Sequence, residues 1–351
     1  MTLDLRGAAR AIVPLALRRR LRDLASDRTS ASLGRALAGL ARSRGPIILG
    51  PWLGEVGFEL LYWVPFLQWA VAEAPLDRAR LVVVSRGGPQ SWYRRVADRY
   101  ADVFDVMTPE EFHARNQVRH AEIGEQKQTQ LTALDTDIVA RTAARLGLEQ
   151  YSVLHPSRMH AVFNPYWWGH RSVEWVERHA RFEPFEPVDV PAGERPPDGY
   201  AAVKFYFNDA FPASAGNRAL AARVVRELGD EGPVISLATG LRVDDHADWE
   251  EEERMSARGI RSVTPSTNLA TQTALIAGAR LWAGTYGGFS YLAPFLRVPA
   301  RAFYSNPAGF SRRHLDLAQR TFDRFGPNLL QLADVRDTAA GALRLSRAVG
   351  R

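Results

Sequence analysis

The residues best suited to chemistry form a glycine turn late in the sequence. Gly284-Thr285-Tyr286-Gly287-Gly288 follows the apolar run Leu281-Trp282-Ala283 and precedes the apolar stretch Phe289–Leu296. Adjacent glycines let a backbone approach a ligand closely, and the N–H groups at a helix start attract anions. Ser290 adds a hydroxyl in the first turn of that helix. The pattern indicates a phosphate site, although the glycines alone are equally typical of an ordinary strand-to-helix turn.

A pair of glutamates near the beginning of the chain could do acid–base chemistry. Glu55 and Glu59 are four residues apart, and the sequence from Val56 to Leu67 is apolar on nearly every side. That spacing places both carboxylates on one face of a helix. Burying a carboxylate is costly unless it is paired or used. We therefore expect one of them to act as a general base. The alternative is that Glu55 only favours the positive helix start and Glu59 pairs with an arginine.

The glycine turn lies inside a longer pattern that predicts the elements positioning it. From Asn268 to Asn306 the sequence predicts a helix, the strand Leu281–Ala283, the turn, the helix Phe289–Leu296 and the strand Pro299–Tyr304. This order is a βαβ crossover, which implies a parallel sheet. Ligands of such sheets bind at the carboxyl ends of the strands.

Two stretches resemble a known family. The order of "LIAGARLWAG", the glycine turn and "SYLAPFLRVPARAFYS" is similar to the nucleotide-sugar half of GT-B glycosyltransferases, in particular the heptosyltransferase-like branch. "LGEVG", which follows the predicted first strand Pro46–Gly50, is similar to the "LGD" opening of the same enzymes. One departure is clear, because Gly284 stands where that branch often carries an Asp before its Thr-Gly turn.

The resemblance implies roles for particular residues. Glu55 matches the acidic residue proposed as the base, which would deprotonate an acceptor hydroxyl as it attacks the anomeric carbon with inversion. Lys204, one of two lysines in the chain, would neutralise the donor phosphates from the predicted strand Tyr200–Phe207; the alternative is a lysine at a sheet edge. The expected donor-binding residues are Lys204, Asn208, Arg218, Thr239, Gly240, Thr285, Tyr286, Gly287, Gly288 and Ser290.

An acceptor pocket is predicted less directly, from aromatic residues mixed with histidine and arginine. The stretch His155–His170 carries aromatic faces that suit sugar stacking, although buried packing is the commoner fate of such side chains. The expected acceptor-binding residues are Asp209, His155, Arg158 and Trp167. Asp135-Thr136-Asp137 spells the Asp-x-Asp signature of another glycosyltransferase fold, but it lies in helix-like sequence and we interpret it as chance. The histidines form no coherent ligand set, so neither a metal nor a cofactor is expected.

Composition bounds the class of protein. The chain has 351 residues and no cysteine, which excludes disulfides and thiolate chemistry. Residues 1–44 hold ten arginines and three aspartates, whereas the rest of the chain has 35 basic and 36 acidic residues. The basic charge therefore belongs to the N-terminal segment, and the body is not a nucleic-acid-binding surface.

The sequence of the N-terminal segment predicts basic amphipathic helices, which either dock on anionic lipid or pack on the body. No apolar run is long enough to span a membrane, so we expect a cytoplasmic protein at the inner face of the membrane.

These patterns predict an α/β protein of GT-B architecture, with two Rossmann-like domains facing a cleft. Five prolines in 183–199 suggest the domain boundary. The expected parts are a helical extension (1–44), an acceptor domain (45–190), a nucleotide-sugar domain (191–327) and a C-terminal helix (328–351). The predicted function is a metal-independent, inverting glycosyltransferase with a nucleotide-diphosphate sugar donor and a saccharide or lipid-linked acceptor in surface glycoconjugate synthesis. The alternatives are a nucleotide-sugar epimerase or hydrolase, and a non-catalytic sugar-nucleotide-binding protein.

Overall fold

The computed structural model describes residues 14–124, 127–190, 194, 196–241, 247–248, 258–260 and 263–336. These residues form two compact units. The first contains residues up to Gly54, Tyr62–Ser85 and Tyr93–Phe182. The second contains Glu55–Leu61, Arg86–Trp92 and the residues from Glu183 onward.

The units differ from the predicted domains because two short segments of the first half of the chain pack with the second half. The main boundary, between Phe182 and Glu183, falls at the start of the proline-rich stretch. Residues 86–92 join the second unit because the carbonyl of Gly87 accepts hydrogen bonds from the N–H groups of Leu269 and Ala270. The Gly87-Gly88 turn is therefore a structural turn.

The first half of the chain contains seven α-helices and four strands among the described residues. The helices are α1 (Leu15–Arg42), α2 (Val56–Phe58), α3 (Val64–Glu73), α4 (Pro109–Ile123), α5 (Ala133–Arg145), α6 (Ser157–Trp167) and α7 (Val173–Glu177). The strands are β1 (Ile47–Leu49), β2 (Leu81–Ser85), β3 (Arg99–Asp102) and β4 (Ser152–Leu154). A π-helical turn, Glu59–Trp63, joins α2 to α3 in one continuous helical run.

The first unit is built on a parallel sheet with the order β3-β2-β1-β4. Ile47 of β1 pairs with Leu81 on one side and with Ser152 on the other. All five residues of β2 are buried, as the apolar sequence of this strand predicts for a sheet covered on both faces. The order matches the first four strands of a Rossmann sheet, whose switch point lies between the first and fourth strands. In this unit the switch point is therefore at the carboxyl ends of β1 and β4.

The second half contains four α-helices and eight strands among the described residues. The helices are α8 (Ala215–Glu231), α9 (Asn268–Ala277), α10 (Gly288–Phe295) and α11 (Arg312–Phe325). The strands are β5 (Ala201–Lys204), β6 (Tyr206–Phe207), β7 (Val234–Ser236), β8 (Ala247–Asp248), β9 (Arg258–Gly259), β10 (Leu281–Thr285), β11 (Ala300–Tyr304) and β12 (Leu330–Asp334).

The second unit has a six-stranded parallel sheet with the order β12-β11-β10-β5-β7-β9. This is the complete Rossmann strand order, with β5 as the first strand and β10 as the fourth. Its switch point is at the carboxyl ends of β5 and β10, where Lys204 and Thr285 stand. The prediction of two parallel α/β domains with a helical N-terminal extension is thus confirmed by the two sheets and by α1.

Two sequence-based elements were wrong. The sequence Phe104-Asp105-Val106-Met107 also predicts a short strand, but residues 103–105 form a 3₁₀ turn after the strand Arg99–Asp102. The predicted C-terminal helix begins in sequence that is a strand: Leu330–Asp334 pairs along β11 from Ala300 to Tyr304. The rest of that predicted helix, residues 337–351, lies outside the described residues. None of the helices in the described ranges is long and apolar enough to cross a membrane.

Candidate functional site

The glycine turn begins a helix at the switch point of the second sheet. Thr285 is the last residue of β10, Gly287 is the N-cap of α10, and Gly288 is its first residue. The first N–H groups of a helix have no acceptor within that helix, and the helix dipole is positive there. The turn therefore presents main-chain donors at the place where doubly wound sheets bind their ligands.

The two predicted hydroxyls of this turn bond to the protein itself. The Oγ of Ser290 donates to the carbonyl of Gly287 at 2.6 Å and accepts from the N–H of Gly287 at 3.2 Å. The Oγ1 of Thr285 donates to the carbonyl of Tyr206 at 2.7 Å and accepts from its N–H at 3.0 Å. Both side chains are fully buried. Their hydroxyls fix the shape of the turn, so any ligand contact from these residues would have to come from the main chain.

The side chain of Tyr286 is also directed into the protein. Its hydroxyl shares a 2.7 Å hydrogen bond with the hydroxyl of Tyr291, and its ring packs edge-on against Phe310. Burial raises the pKa of Tyr286 above its ordinary value. Tyr286 is therefore a packing residue, and the candidate ligand donors are the amides at Gly288 and Phe289.

A second helix start meets the glycine turn. A Cβ atom on Gly288 would lie 2.7 Å from the backbone nitrogen of Gly57, and a Cβ on Gly57 would lie 3.1 Å from the Cα of Gly288. Gly57 is in α2, at the beginning of the helical run that continues to Glu73. The absence of both side chains lets the two helix starts approach each other. Two positive helix ends are thus brought together in the second unit.

The two candidate catalytic glutamates differ in their surroundings. Glu55 is the N-cap of α2, two residues before Gly57, and it is exposed. Glu59 is the first residue of the π-helical turn and is only 1% exposed. The N–H of Glu59 donates to the carbonyl of Glu55, so the predicted helical spacing is correct. Exposure beside the paired helix starts favours Glu55 over Glu59 as the residue that could meet a substrate.

Lys204 places a cation beside the start of α10. It ends β5, and its side chain is buried with the Nζ atom 4.7 Å from the centroid of the Phe289 ring. The Nζ atom donates to the carbonyl of Leu237 at 3.4 Å. Because β5 lies between β10 and β7, the alternative of a lysine at a sheet edge does not hold. The ammonium is positioned where it could neutralise an anion at the amides of α10.

The structure explains why no acid precedes Thr285. Gly284 pairs with Lys204 across β10 and β5, and a Cβ atom at Gly284 would collide with the carbonyl oxygen of Lys204. Such a collision with a backbone atom cannot be relieved by a side-chain rotation. The position therefore excludes an aspartate for a steric reason.

The loop after β6 carries two of the predicted residues, and the helix α8 that follows it carries a third. Asn208 ties the loop together: its Oδ1 accepts from the N–H of Phe211 at 2.8 Å, and its Nδ2 donates to the carbonyl of Tyr286 at 3.4 Å. Asp209 is exposed, and its carbonyl accepts from Asn306. The guanidinium of Arg218, on α8, lies 4.4 Å from the centroid of the Phe207 ring. Asn208 therefore positions the loop, while Asp209 and Arg218 remain exposed candidates.

Thr239 and Gly240 follow β7, the strand next to β5. Thr239 is partly exposed, and Gly240 is exposed with a φ of 70°. They lie on the carboxyl side of the same sheet as Lys204, as predicted. A nucleoside contact from them stays a prediction.

In the first unit, His155 is used by the protein itself. Its Nδ1 accepts from the N–H of Ser157 at 3.2 Å, and its Nε2 lies 3.3 Å from the Oδ1 of Asp135. Both His155 and Asp135 are buried. Burial alone would raise the pKa of Asp135, but the hydrogen bonds and charge from His155 and Thr132 outweigh it and hold that pKa below its ordinary value. The Nε2 atom of His155 is therefore in a charge contact with Asp135, and it makes no well-aligned hydrogen bond with the described residues.

Gln128 completes this buried network. Its Nε2 donates to Asp135 and to the carbonyl of Pro51, both at 2.9 Å, and its Oε1 accepts from the N–H of Leu53 at 2.8 Å. These bonds join the loop after β1 to the residues after β4. Protein side chains thus fill the switch point of the first sheet.

The Asp-x-Asp sequence lies inside α5, as predicted. Thr132 and Asp135 form a capping box at its start, and Asp137 forms ion pairs with Arg115 and Arg141. Among the described residues there is no group of three or more His, Asp or Glu side chains that could hold a metal ion. Asp244-Asp245-His246 lies outside those residues.

The other acceptor candidates divide between surface and interior. Arg158 is exposed on α6. Trp167 packs edge-on against Tyr62 and beside His160, with Lys127 Nζ 5.0 Å from its ring centroid. Its neighbour Trp168 is 71% exposed. Trp168 is therefore the more accessible aromatic face of this segment.

No protein-family model matches the chain. No curated protein matches it significantly. Solved structures do share features with it. The iron-containing dodecameric glycosyltransferase TibC from enterotoxigenic E. coli is 14% identical over 74% of this chain, with a TM-score of 0.38. The match spans 58% of the TibC chain.

Two further structures give similar values. The glycosyl transferase family 9 protein from Veillonella parvula is 13% identical over 85% of this chain and 88% of its own, with a TM-score of 0.41. The E. coli heptosyltransferase WaaC with ADP-2-deoxy-2-fluoro heptose is 14% identical over 76% and 91%, with a TM-score of 0.39. At these TM-scores the likeness decides neither the fold nor the function of this chain.

Sequence patterns missed several residues of the two switch points. The Tyr206 hydroxyl lies against Gly287, so closely that a Cβ there would collide with it. His314, at the start of α11, packs edge-on against Phe58 at 4.9 Å between centroids. Neither residue is adjacent in sequence to the turn it approaches. Their closeness to these residues could have been predicted only from the order of the strands in the sheet.

Proposed function

We propose that this protein is a glycosyltransferase that uses a nucleotide-diphosphate sugar donor. The observation that carries the proposal is the meeting of two helix starts at Gly57 and Gly288, with the Lys204 ammonium beside Phe289. Main-chain amides, two helix dipoles and one buried cation together suit a doubly charged diphosphate. The position at the switch point of a complete Rossmann strand order supports the same conclusion.

The donor diphosphate would bind at the amides of Gly288 and Phe289, with Lys204 neutralising charge as the nucleotide leaves. That charge stabilisation makes a metal-independent reaction chemically reasonable. Thr239, Gly240 and Arg218 are the candidates for contacts to the nucleoside and the outer phosphate.

Glu55 would serve as the general base. It is exposed at a helix start two residues from Gly57, so its carboxylate could take a proton from an acceptor hydroxyl next to the bound donor. Attack by that hydroxyl on the anomeric carbon would form the new glycosidic bond, break the bond to the diphosphate and invert the configuration. Glu59, which is buried, would then support the helix.

We further propose that the acceptor is a saccharide or a lipid-linked saccharide of a surface glycoconjugate, and that the enzyme works in the cytoplasm at the inner face of the membrane. Arg158 and Asp209 are exposed and remain candidates for acceptor contact. His155 and Trp167, which are packed inside the first unit, would support such a site indirectly.

A thermal-shift screen against UDP-, GDP-, dTDP-, ADP- and CMP-sugars tests the donor site. A true donor at 100 Kd adds about 2.7 kcal/mol to the free energy of unfolding. Lys204→Met should weaken binding of that donor on the order of tenfold, about 1.4 kcal/mol. Lys127→Met, which removes the other lysine of the chain, should leave donor binding unchanged. A screen in which no sugar nucleotide stabilises the protein would remove the donor proposal.

The reaction itself is tested with Glu55→Gln. Donor binding should persist while transfer to an acceptor extract falls at least about a hundredfold, the usual contribution of a general base. Release of the nucleotide without any acceptor, at the same rate as with one, would instead identify a hydrolase or epimerase. A Glu55→Gln protein that binds and transfers normally would rule out this base.

A further inference from the structure

One face of α1 carries exposed apolar side chains. Leu17, Leu21 and Leu24 are 47%, 54% and 47% exposed. Spacings of four and three residues place them in a single stripe, because an α-helix turns about 100° per residue. A leucine exposed alone is ordinary, but three in one stripe form a surface that could bind something apolar.

The opposite face of the same helix packs into the first unit. Ser26, Leu33 and Leu37 are buried there, and the Oγ of Ser30 lies 2.7 Å from the Nε2 of His179. These residues are centred about half a turn away from the leucine stripe. The helix is thus held firmly by one face, and the leucines are on the side turned away from the unit.

Charge on the helix is sorted in the same way. Arg28, Arg35 and Arg42 continue the leucine stripe along the outward side, and all three are exposed. The acidic residues of the helix, Asp23 and Asp27, form ion pairs with Arg171 of the same unit, at 3.4 Å and 2.7 Å. Both acids lie on the side of the helix that meets Arg171, so the outward side carries arginines and no acidic residue of α1.

The segment after α6 contacts α1 on another side of the helix. Trp168 is 71% exposed, but two residues later the Nδ1 of His170 lies 3.3 Å from the Nη1 of Arg22, which is roughly 130° around the helix from the leucine stripe. Trp168 is therefore not part of the outward face. Exposed leucines and arginines along one side of a helix are the composition of an interfacial membrane surface.

We propose that this outward face, comprising Leu17, Leu21, Leu24, Arg28 and Arg35, docks on an anionic phospholipid bilayer. The leucines enter the interface, and the arginines contact the lipid phosphates. A second copy of the chain fits the face poorly, because its α1 would offer these arginines no acidic partner, since Asp23 and Asp27 pair with Arg171. The proposal rests on the proposed function in one respect, since a bilayer is where a lipid-linked acceptor would be found.

Vesicle flotation with the full chain tests the docking face. Binding is expected to vesicles of phosphatidylglycerol and phosphatidylcholine, and not to phosphatidylcholine alone. Replacing Arg28 and Arg35 by Gln should lower the partition coefficient about thirtyfold, at roughly 1 kcal/mol per arginine. Replacing Leu17, Leu21 and Leu24 by Ser should lower it about a hundredfold. Leu131→Ser, at a leucine that is 57% exposed but not on α1, is the matched control and should bind normally.

Three outcomes would overturn the proposal. One is vesicle binding by the triple leucine variant that equals binding by the wild type. Another is competition by free inositol hexaphosphate that abolishes vesicle binding, which would show a soluble-anion site without an apolar component. The third is a dimer in light scattering that the leucine variant converts to a monomer. The thermal shift produced by the donor distinguishes the two proposals, because the arginine and leucine variants of α1 should show the same shift as the wild type. Loss of vesicle binding alone would therefore leave the donor site intact.

Discussion

The two sheets share the strand order of a Rossmann switch point, yet the two switch points are built differently. In the first unit, Gln128, Asp135 and His155 bond to one another and fill the space after β1 and β4. In the second, Gly57 and Gly288 bring two helix starts together, and the hydroxyls of Thr285 and Ser290 bond to main-chain groups of the same unit. One place is occupied by polar side chains, while the other offers main-chain donors and a lysine.

The difference shows that polar residues do not mark a binding site by themselves. His155 and Asp135 are residue types that often carry out chemistry, but here both are buried and contact each other in the interior. The glycines have no functional group, yet Gly287 and Gly288 are partly exposed at the start of a helix. We therefore expect a ligand to bind where hydrogen-bond donors are not already used within the protein.

Removing Asp135 should have the largest effect on stability. Asp135→Ala leaves Gln128 and His155 with unmatched buried polar atoms, so we expect a loss of about 3 kcal/mol in the free energy of unfolding. Urea denaturation would measure the loss, and hydrogen exchange of peptides from α5 and α6 would locate it in the first unit.

Asp137→Ala is the matched control, two residues away in the same helix. Its partially exposed ion pairs with Arg115 and Arg141 should contribute less than about 1 kcal/mol. If Asp137→Ala instead abolished activity while Asp135→Ala retained it, the Asp-x-Asp sequence would be a ligand site and the first switch point would be functional.

Adding a methyl group at Gly288 should have the largest effect on donor binding. The Cβ would lie 2.7 Å from the nitrogen of Gly57 and would force the two helix starts apart. Displacement of about 1 Å can cost a hundredfold in a positioned site, so we expect Gly288→Ala to raise the donor Kd about a hundredfold. Isothermal titration with the nucleotide sugar found in the screen would measure it.

A graded series distinguishes this from general damage to the fold. Gly57→Ala, with a milder contact of 3.1 Å, should have a smaller effect in the same direction. Gly216→Ala, on α8, meets nothing nearer than 4.0 Å and should bind the donor normally. Equal affinities across the three variants would show that the glycine contact has no part in binding.

Acid should weaken the first unit through its buried histidines. Burial, followed by the charges of Lys127, His155 and Arg119, lowers the pKa of His160 to about 3. Burial also lowers the pKa of His179. Between the ordinary histidine pKa and these values the unfolded chain binds protons that the folded chain does not, so stability falls as pH falls. Each group contributes a slope of at most about 1.4 kcal/mol per pH unit.

Urea denaturation between about pH 6.5 and 5 would show this slope, in a range above the titration of most carboxylates. His160→Gln should reduce this pH slope of the unfolding free energy by about the contribution of one histidine, whatever its effect on the absolute stability. A wild-type slope near zero in this range would mean that His160 is protonated in the folded protein.

Much of the fold follows from local sequence. The strands Leu81–Ser85 and Leu281–Thr285 are apolar runs next to glycine turns, and the crossover around Gly287 is where the pattern predicts it. A strand at Phe104–Met107 failed because a short apolar run is equally compatible with a 3₁₀ turn. The helix expected from residue 328 failed because the pairing of Leu330–Asp334 with β11 overrides local propensity.

The candidate site was predictable in position but not in detail. Gly287, Gly288 and Lys204 could be selected because their residue types are unusual at those places. The partners of Thr285 and Ser290 could not, since a hydroxyl can face a ligand or its own backbone with the same sequence. Trp167 and Trp168 are adjacent, and adjacent residues on a helix point about 100° apart, so one packs inward and the other outward. Which of them does so depends on packing that the sequence does not display.

The π-helical turn at Glu59–Trp63 has a consequence for insertions and deletions. Such a turn has i→i+5 hydrogen bonds, so it accommodates one residue more than the i→i+4 pattern of a regular α-helix. Deleting one residue there would let the run from Val56 to Glu73 continue with ordinary hydrogen bonds. It would also rotate Glu55 by about 100° about the helix axis and would move Gly57 out of its close contact with Gly288. The extra residue thus sets the direction in which the exposed carboxylate of Glu55 points.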